Sequence, residues 1–131
     1  MPVFVPGTWL NPESRPDGCG ISTAGRFAVP VEGGRFDRHF HEDDELWFFT
    51  EGKGRILTDG ELQYVQAGDI VLTSAGDEHD IVEVYETLRG FFTETGVPTP
   101  SQVGHLHSSE EAAAGHEVPA LPVPADFPVR G

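Results

Sequence analysis

The sequence predicts an all-β fold, a closed or double-sheet antiparallel barrel, and three observations carry that expectation. Between residues 35 and 94 the apolar segments are short and evenly spaced, with turn residues between them. Asp59-Gly60 separates ILT from ELQYV, and both central positions of a type I′ hairpin need the positive φ that Asp and Gly tolerate. No stretch of this region sustains the 3.6-residue spacing of an amphipathic helix.

Taken in order, residues 1–20 carry Pro2, Pro6, Pro12 and Pro16 with Gly7, Gly18 and Gly20, which excludes a regular helix or a central strand. This arm is expected to wrap the barrel, with Phe4, Trp9 and Leu10 set into apolar surface. One strand is expected at 26–29, closed by Pro30, and Glu32-Gly33-Gly34 then turns the chain. Further strands are expected near 35–41, 45–51, 53–58, 61–66, 69–73, 79–85 and 87–94, with Gly52, Gly68-Asp69 and Gly76-Asp77 marking turns. Ser109 could cap a short helix over 109–114, with Glu110 and Glu111 in its first turn. The proline-spaced end, ALPVPADFPVRG, reads as an extended strap. The 131 residues are expected to form a single domain: an arm and strand at 1–32, a barrel core at 33–94 and a proline-rich C-terminal extension at 95–131.

The charge narrows the partners. Lys53 is the only lysine among 8 basic residues, against 22 acidic ones, and a net charge of −14 opposes phosphate backbones and anionic lipid. No nucleic acid and no membrane partner is expected. Cys19 stands alone, so no internal disulfide can form, and it reads as a small buried apolar residue of a protein from a reducing compartment. The first residues lack a basic region and a long apolar run, so neither a signal peptide nor a membrane span is expected. A cytoplasmic location follows as the expectation.

The stretch 33–52, GGRFDRHFHEDDELWFFTEG, holds the chemistry. His39 and His41 are two apart, so on a strand both imidazoles point the same way. A turn at 42–44 would bring Glu45 back to the same end. Two imidazoles and a carboxylate converging on one point make a first-row metal site lacking one ligand. Asp43 and Asp44 are competing carboxylates, and their plain reading is a solvated turn. If Glu45 points inward, Trp47 and Phe49 share its face and would floor a dry pocket. Phe40, Leu46 and Phe48 would then face outward and need cover.

Gly33, five residues, His39-Phe40-His41, three residues, Glu45, six residues and Gly52 resemble the first motif of the cupin superfamily. The stretch Gly68-Asp69-Ile70-Val71-Leu72-Thr73-Ser74-Ala75-Gly76-Asp77-Glu78-His79 resembles the second. Ser74 stands where the family usually has Pro, and Glu83 where Asn is frequent; both positions shape a turn and a strand rather than the ligand set. The resemblance implies a double-stranded β-helix, the jelly-roll barrel of cupins. It also implies a homodimer and one divalent metal per chain on His39, His41, Glu45 and His79. Three His and one carboxylate suit Fe, Mn, Ni, Co or Zn, with Fe(II) favoured for O₂ chemistry on two open positions.

For function, the leading expectation is a metal-dependent dioxygenase-type oxidoreductase acting on a small polar metabolite. The alternatives are an isomerase, epimerase or lyase working on a sugar or hydroxy acid, and a ligand binder without turnover. Glu83 and Tyr64 are candidate catalytic groups, with Asp37 a further base or a neighbour of the ligands. Trp47, Phe49, Arg55, Arg89 and Phe91 are candidate pocket residues, although Arg55, Tyr64 and Arg89 also suit surface ion pairs. His105 and His107 read as a solvated or lid segment more than a second metal site, and one of these tail His, or His116, could act as an acid or base if the tail folds over the mouth.

Overall fold

Both residues of the expected hairpin turn have positive φ, 49° at Asp59 and 74° at Gly60. The strands on either side pair antiparallel, with Thr58 opposite Glu61. The computed structural model describes residues 2–96 and 105–130. Its elements are β1 (Ile21–Val29), β2 (Arg35–Phe36), β3 (Glu45–Thr58), β4 (Glu61–Gln66), β5 (Ile70–Thr73), β6 (His79–Thr95), α1 (Glu110–Ala114) and β7 (His116–Glu117). The fold is all-β. The main sheet runs β1-β6-β3-β4, with β5 also on β3, and every pairing in it is antiparallel.

Two long strands do the work expected of four. The segments expected at 45–51 and 53–58 are one strand, β3, and those at 79–85 and 87–94 are one strand, β6. Positions 45–48 of β3 pair with β5 and positions 53–58 pair with β4, while β6 follows β3 along both halves. Gly52 makes the passage possible: its φ is +91°, and a Cβ there would meet the Thr87 carbonyl oxygen at 2.1 Å. Register shifts around this point change which residues face inward. Glu45, Trp47 and Phe49 are buried before it, Gly54, Ile56 and Thr58 after it. β6 shifts in the same way, from His79 and Ile81 to Val84, Leu88 and Gly90. The core that results contains Val29, Trp47, Phe49, Ile56, Val65, Ile81, Val84, Leu88 and Val118.

The strand expected at 35–41 is shorter. Only Arg35–Phe36 is strand, on β7. Beyond it His39 bridges His79 and Phe40 bridges Leu106, two different partners, so no continuous ladder forms. Trp9, expected to anchor the N-terminal arm, is 52% exposed. The arm is held by the Leu10–Ala24 backbone pair and by the Arg26 guanidinium, which donates to the Phe4, Val5 and Thr8 carbonyls. Ser109 caps α1, its hydroxyl accepting from the Ala112 N–H. The C-terminal stretch lies along β6 through Val84 and Ala120, and Phe127 is buried against Tyr64 and Tyr85. No helix among the described residues is long and apolar enough to cross a membrane.

Candidate metal centre

His39 arrives on its backbone bridge to His79, and Glu45 opens β3 on the inward parity. His41, Glu45 and His79 each offer a ligand atom within 4.8 Å of the others, and all are buried. His41 Nε2 is 3.4 Å from Glu45 Oε2, and His79 Nε2 is 3.4 Å from Glu45 Oε1. His39 Nε2 lies 2.9 Å from His79 Nε2. The Trp47 indole N–H donates to Glu45 Oε1 and fixes that carboxylate.

The tautomers can be assigned from the partners. His39 Nδ1 faces the carbonyl of Asp37, and His79 Nδ1 faces that of Asp77 at 3.2 Å. A carbonyl only accepts, so each Nδ1 carries the proton and each Nε2 a lone pair. Two lone pairs therefore confront each other at 2.9 Å in a buried site. Cis nitrogens on an ion with bonds of about 2.1 Å stand about 3 Å apart, so the pair fits a metal between them. Burial, with His79 alongside, drops His39 to about 3, and burial likewise lowers His79. Burial works against the Glu45 anion, but hydrogen bonds from His41 and Glu94 hold it down at about 2. His39 and His79 are thus neutral imidazoles and Glu45 an ionised carboxylate, the forms that bind a divalent ion. This His/Glu cluster could hold a metal.

The cluster opens onto a cavity of about 150 Å³ lined by Phe27, Phe36, Trp47, Ile81 and Phe92 together with His39, Glu45, Glu94 and His105. Glu94 is an addition to the sequence-derived set, and His105, expected in a solvated or lid segment, lies on the cavity wall. Glu94 Oε1 is 3.2 Å from His41 Nε2, and burial beside Glu45 raises its carboxyl to about 7 despite the pull of His41. His105 stacks on His39, centroids 3.6 Å apart and planes 6° from parallel. Its Nδ1 and the His107 Nε2 both bond Asp37 Oδ2, at 2.9 and 2.7 Å. The segment at 105–107 is therefore seated over the site.

The other candidates lie elsewhere. Phe49 sits behind Trp47, in edge contact with Phe27, and does not line the cavity. Arg89 and Phe91 face outward, because the inward parity of this half of β6 belongs to Leu88 and Gly90. Arg89 pairs with Glu51 at 3.3 Å, and Phe91 carries the Arg26 guanidinium on its ring. The register shifts turn Arg55 and Glu83 away from the cavity. Arg55 stacks on Tyr64, the Tyr64 hydroxyl donates to Asp126, and the Tyr85 hydroxyl donates to Glu83. Glu83, Tyr64 and Arg55 thus form a polar group under the C-terminal strap, away from the His cluster.

A model of the cupin domain matches residues 25–89. This is a cupin domain. The cupin is 34% identical over 109 residues to an uncharacterised protein, y4oW, of Sinorhizobium fredii, a match covering 76% of this chain and 49% of that one. The chain thus spans about half the length of that relative. A cupin protein from Bacteroides fragilis superposes with a TM-score of 0.50 at 26% identity, over 67% of this chain and 74% of the other. A predicted oxalate decarboxylase from Thermotoga maritima superposes at 0.53 with 23% identity, over 59% and 68%, a likeness of fold.

Proposed function

We propose that this cupin is a metal-dependent enzyme of dioxygenase type, acting on a small molecule with a chelating head and an apolar body. The supporting observation is that the facing His39 and His79 Nε2 lone pairs lie beside an aromatic cavity of about 150 Å³, the room of roughly five waters, which His39 and Glu45 help to line. When bound, a divalent ion, Fe(II) before Mn(II), Ni(II), Co(II) or Zn(II), would supply adjacent open positions for a bidentate substrate or for substrate and O₂ together. His39, His41, Glu45 and His79 would hold it. Trp47 keeps the Glu45 carboxylate aimed, while Phe27, Phe36, Ile81 and Phe92 exclude water and favour an apolar ligand body over a polyhydroxylated one.

A second reading, a non-oxidative isomerase, epimerase or lyase, draws on Glu94, whose carboxyl lies on the cavity wall where it could exchange a proton with a ligand. Oxygen-electrode assays on Fe(II)-loaded protein with short α-hydroxy and α-oxo acids and vicinal diols separate the two. O₂ consumption matched to substrate loss, absent in His79→Ala, is the expected result. Substrate conversion without O₂ uptake would favour the second reading. Binding of these compounds with neither would make the protein a ligand binder.

A further inference from the structure

His105 lies outside both sequence motifs, yet it touches the centre. Its ring covers His39 at 3.6 Å and reaches the cavity lined by Phe36, Trp47 and Phe92. It is not aimed as a metal ligand. An ion held by His39 Nε2 would lie in the plane of that ring, and imidazole lone pairs lie in the plane of their own ring. Two planes 6° from parallel and about a ring thickness apart cannot share that ion. The ring's place is that of a wall. Three contacts fix it: its own bond to Asp37 Oδ2, the His107 bond to the same oxygen, and the backbone pair between Leu106 and Phe40, at 2.9 and 3.0 Å. One carboxylate oxygen that receives two imidazoles is a clasp, and Asp37 is only two residues from His39.

We propose that His105 is the roof of the substrate pocket and a specificity-determining residue, held in place by Asp37 and His107 as positioning residues. This rests on the metal-centred reading of the site. The roof limits the ligand to the slender class that a cavity of about 150 Å³ admits; removing it opens the pocket toward bulkier bodies without touching the ligand set.

The test uses Co(II)-loaded full-length protein and visible absorption titrations with two chelating probes, acetohydroxamate and the bulkier benzohydroxamate. In the parent protein acetohydroxamate should bind at least tenfold tighter. In His105→Ala the benzohydroxamate Kd should fall at least tenfold while cobalt stoichiometry and acetohydroxamate affinity stay within about threefold. His107→Ala, which frees the clasp at a residue outside the proposed ligand set, should shift the probe ratio in the same direction by a smaller factor. Full cobalt loading with an unchanged probe ratio in both variants would overturn the roof while leaving the metal centre standing. Loss of cobalt in His105→Ala would overturn it too, by making His105 a ligand. Failure of the parent protein to bind cobalt would overturn the metal-centred reading and this inference with it.

Discussion

His39 and His79 use the same device: each ring gives its Nδ1 proton to the carbonyl of the residue two before it, Asp37 or Asp77. That frees both Nε2 atoms, and Trp47 does the equivalent for Glu45 by occupying Oε1. Groups that orient ligands in this way are worth roughly 10–100-fold in metal affinity. Trp47→Phe keeps the aromatic wall and removes the N–H, so it should weaken metal binding by about that factor at unchanged stoichiometry, measured by competition with a chromophoric chelator. The four positions proposed to hold the metal were legible because alternation and two spaced motifs converge on them. Glu94 is equally open to alternation, since it shares the inward parity of Leu88 and Gly90, whereas Arg89 and Phe91 carry the outward one. A lid role for 105–107 was open in the sequence, but the seat of His105 on His39 was not: it depends on Asp37 and on the Leu106 backbone pair with Phe40, contacts 68 and 66 residues apart in sequence that no periodicity encodes.

The register shifts decide which expected residues reach the site. Through them Arg55 and Glu83 leave the cavity, and single-sequence alternation has no means of locating a bulge inside an otherwise regular strand. Gly52 is the visible mark of one such shift. A Cβ there would overlap the Thr87 carbonyl at 2.1 Å, whereas at Gly60, also at positive φ, a Cβ meets nothing within 4 Å. Gly52→Ala should therefore destabilise by clearly more than the roughly 1 kcal/mol expected of the backbone conformation alone, and Gly60→Ala by about that amount. Urea unfolding of both variants checks the contrast; equal midpoints would show that β3 and β6 do not approach closely at the bend.

At the scale of the molecule, the C-terminal extension is tied to the barrel by His116, whose Nε2 bonds Asp80 Oδ1 at 2.6 Å. Burial lowers the His116 pKa, but the bond to Asp80 and the Glu117 carbonyl raise it above its usual value on balance. A raised His contributes stability that is fully present below pH 6.5 and is lost as pH rises through its elevated folded value. The stability difference between the parent protein and His116→Gln should thus be larger at pH 6 than at pH 8.5, read by denaturant unfolding at both pH values. A difference independent of pH would mean that the clasp does not titrate.

The most direct test of the metal centre is the metal content of untagged protein purified without chelators, beside a His39→Ala/His79→Ala double variant. About one equivalent of a divalent first-row metal in the parent and none in the variant is the expected result. Parent protein that binds no metal on purification or on reloading with Fe(II), Mn(II) or Co(II) would contradict it, and the facing imidazoles would then belong to a purely organic binding site.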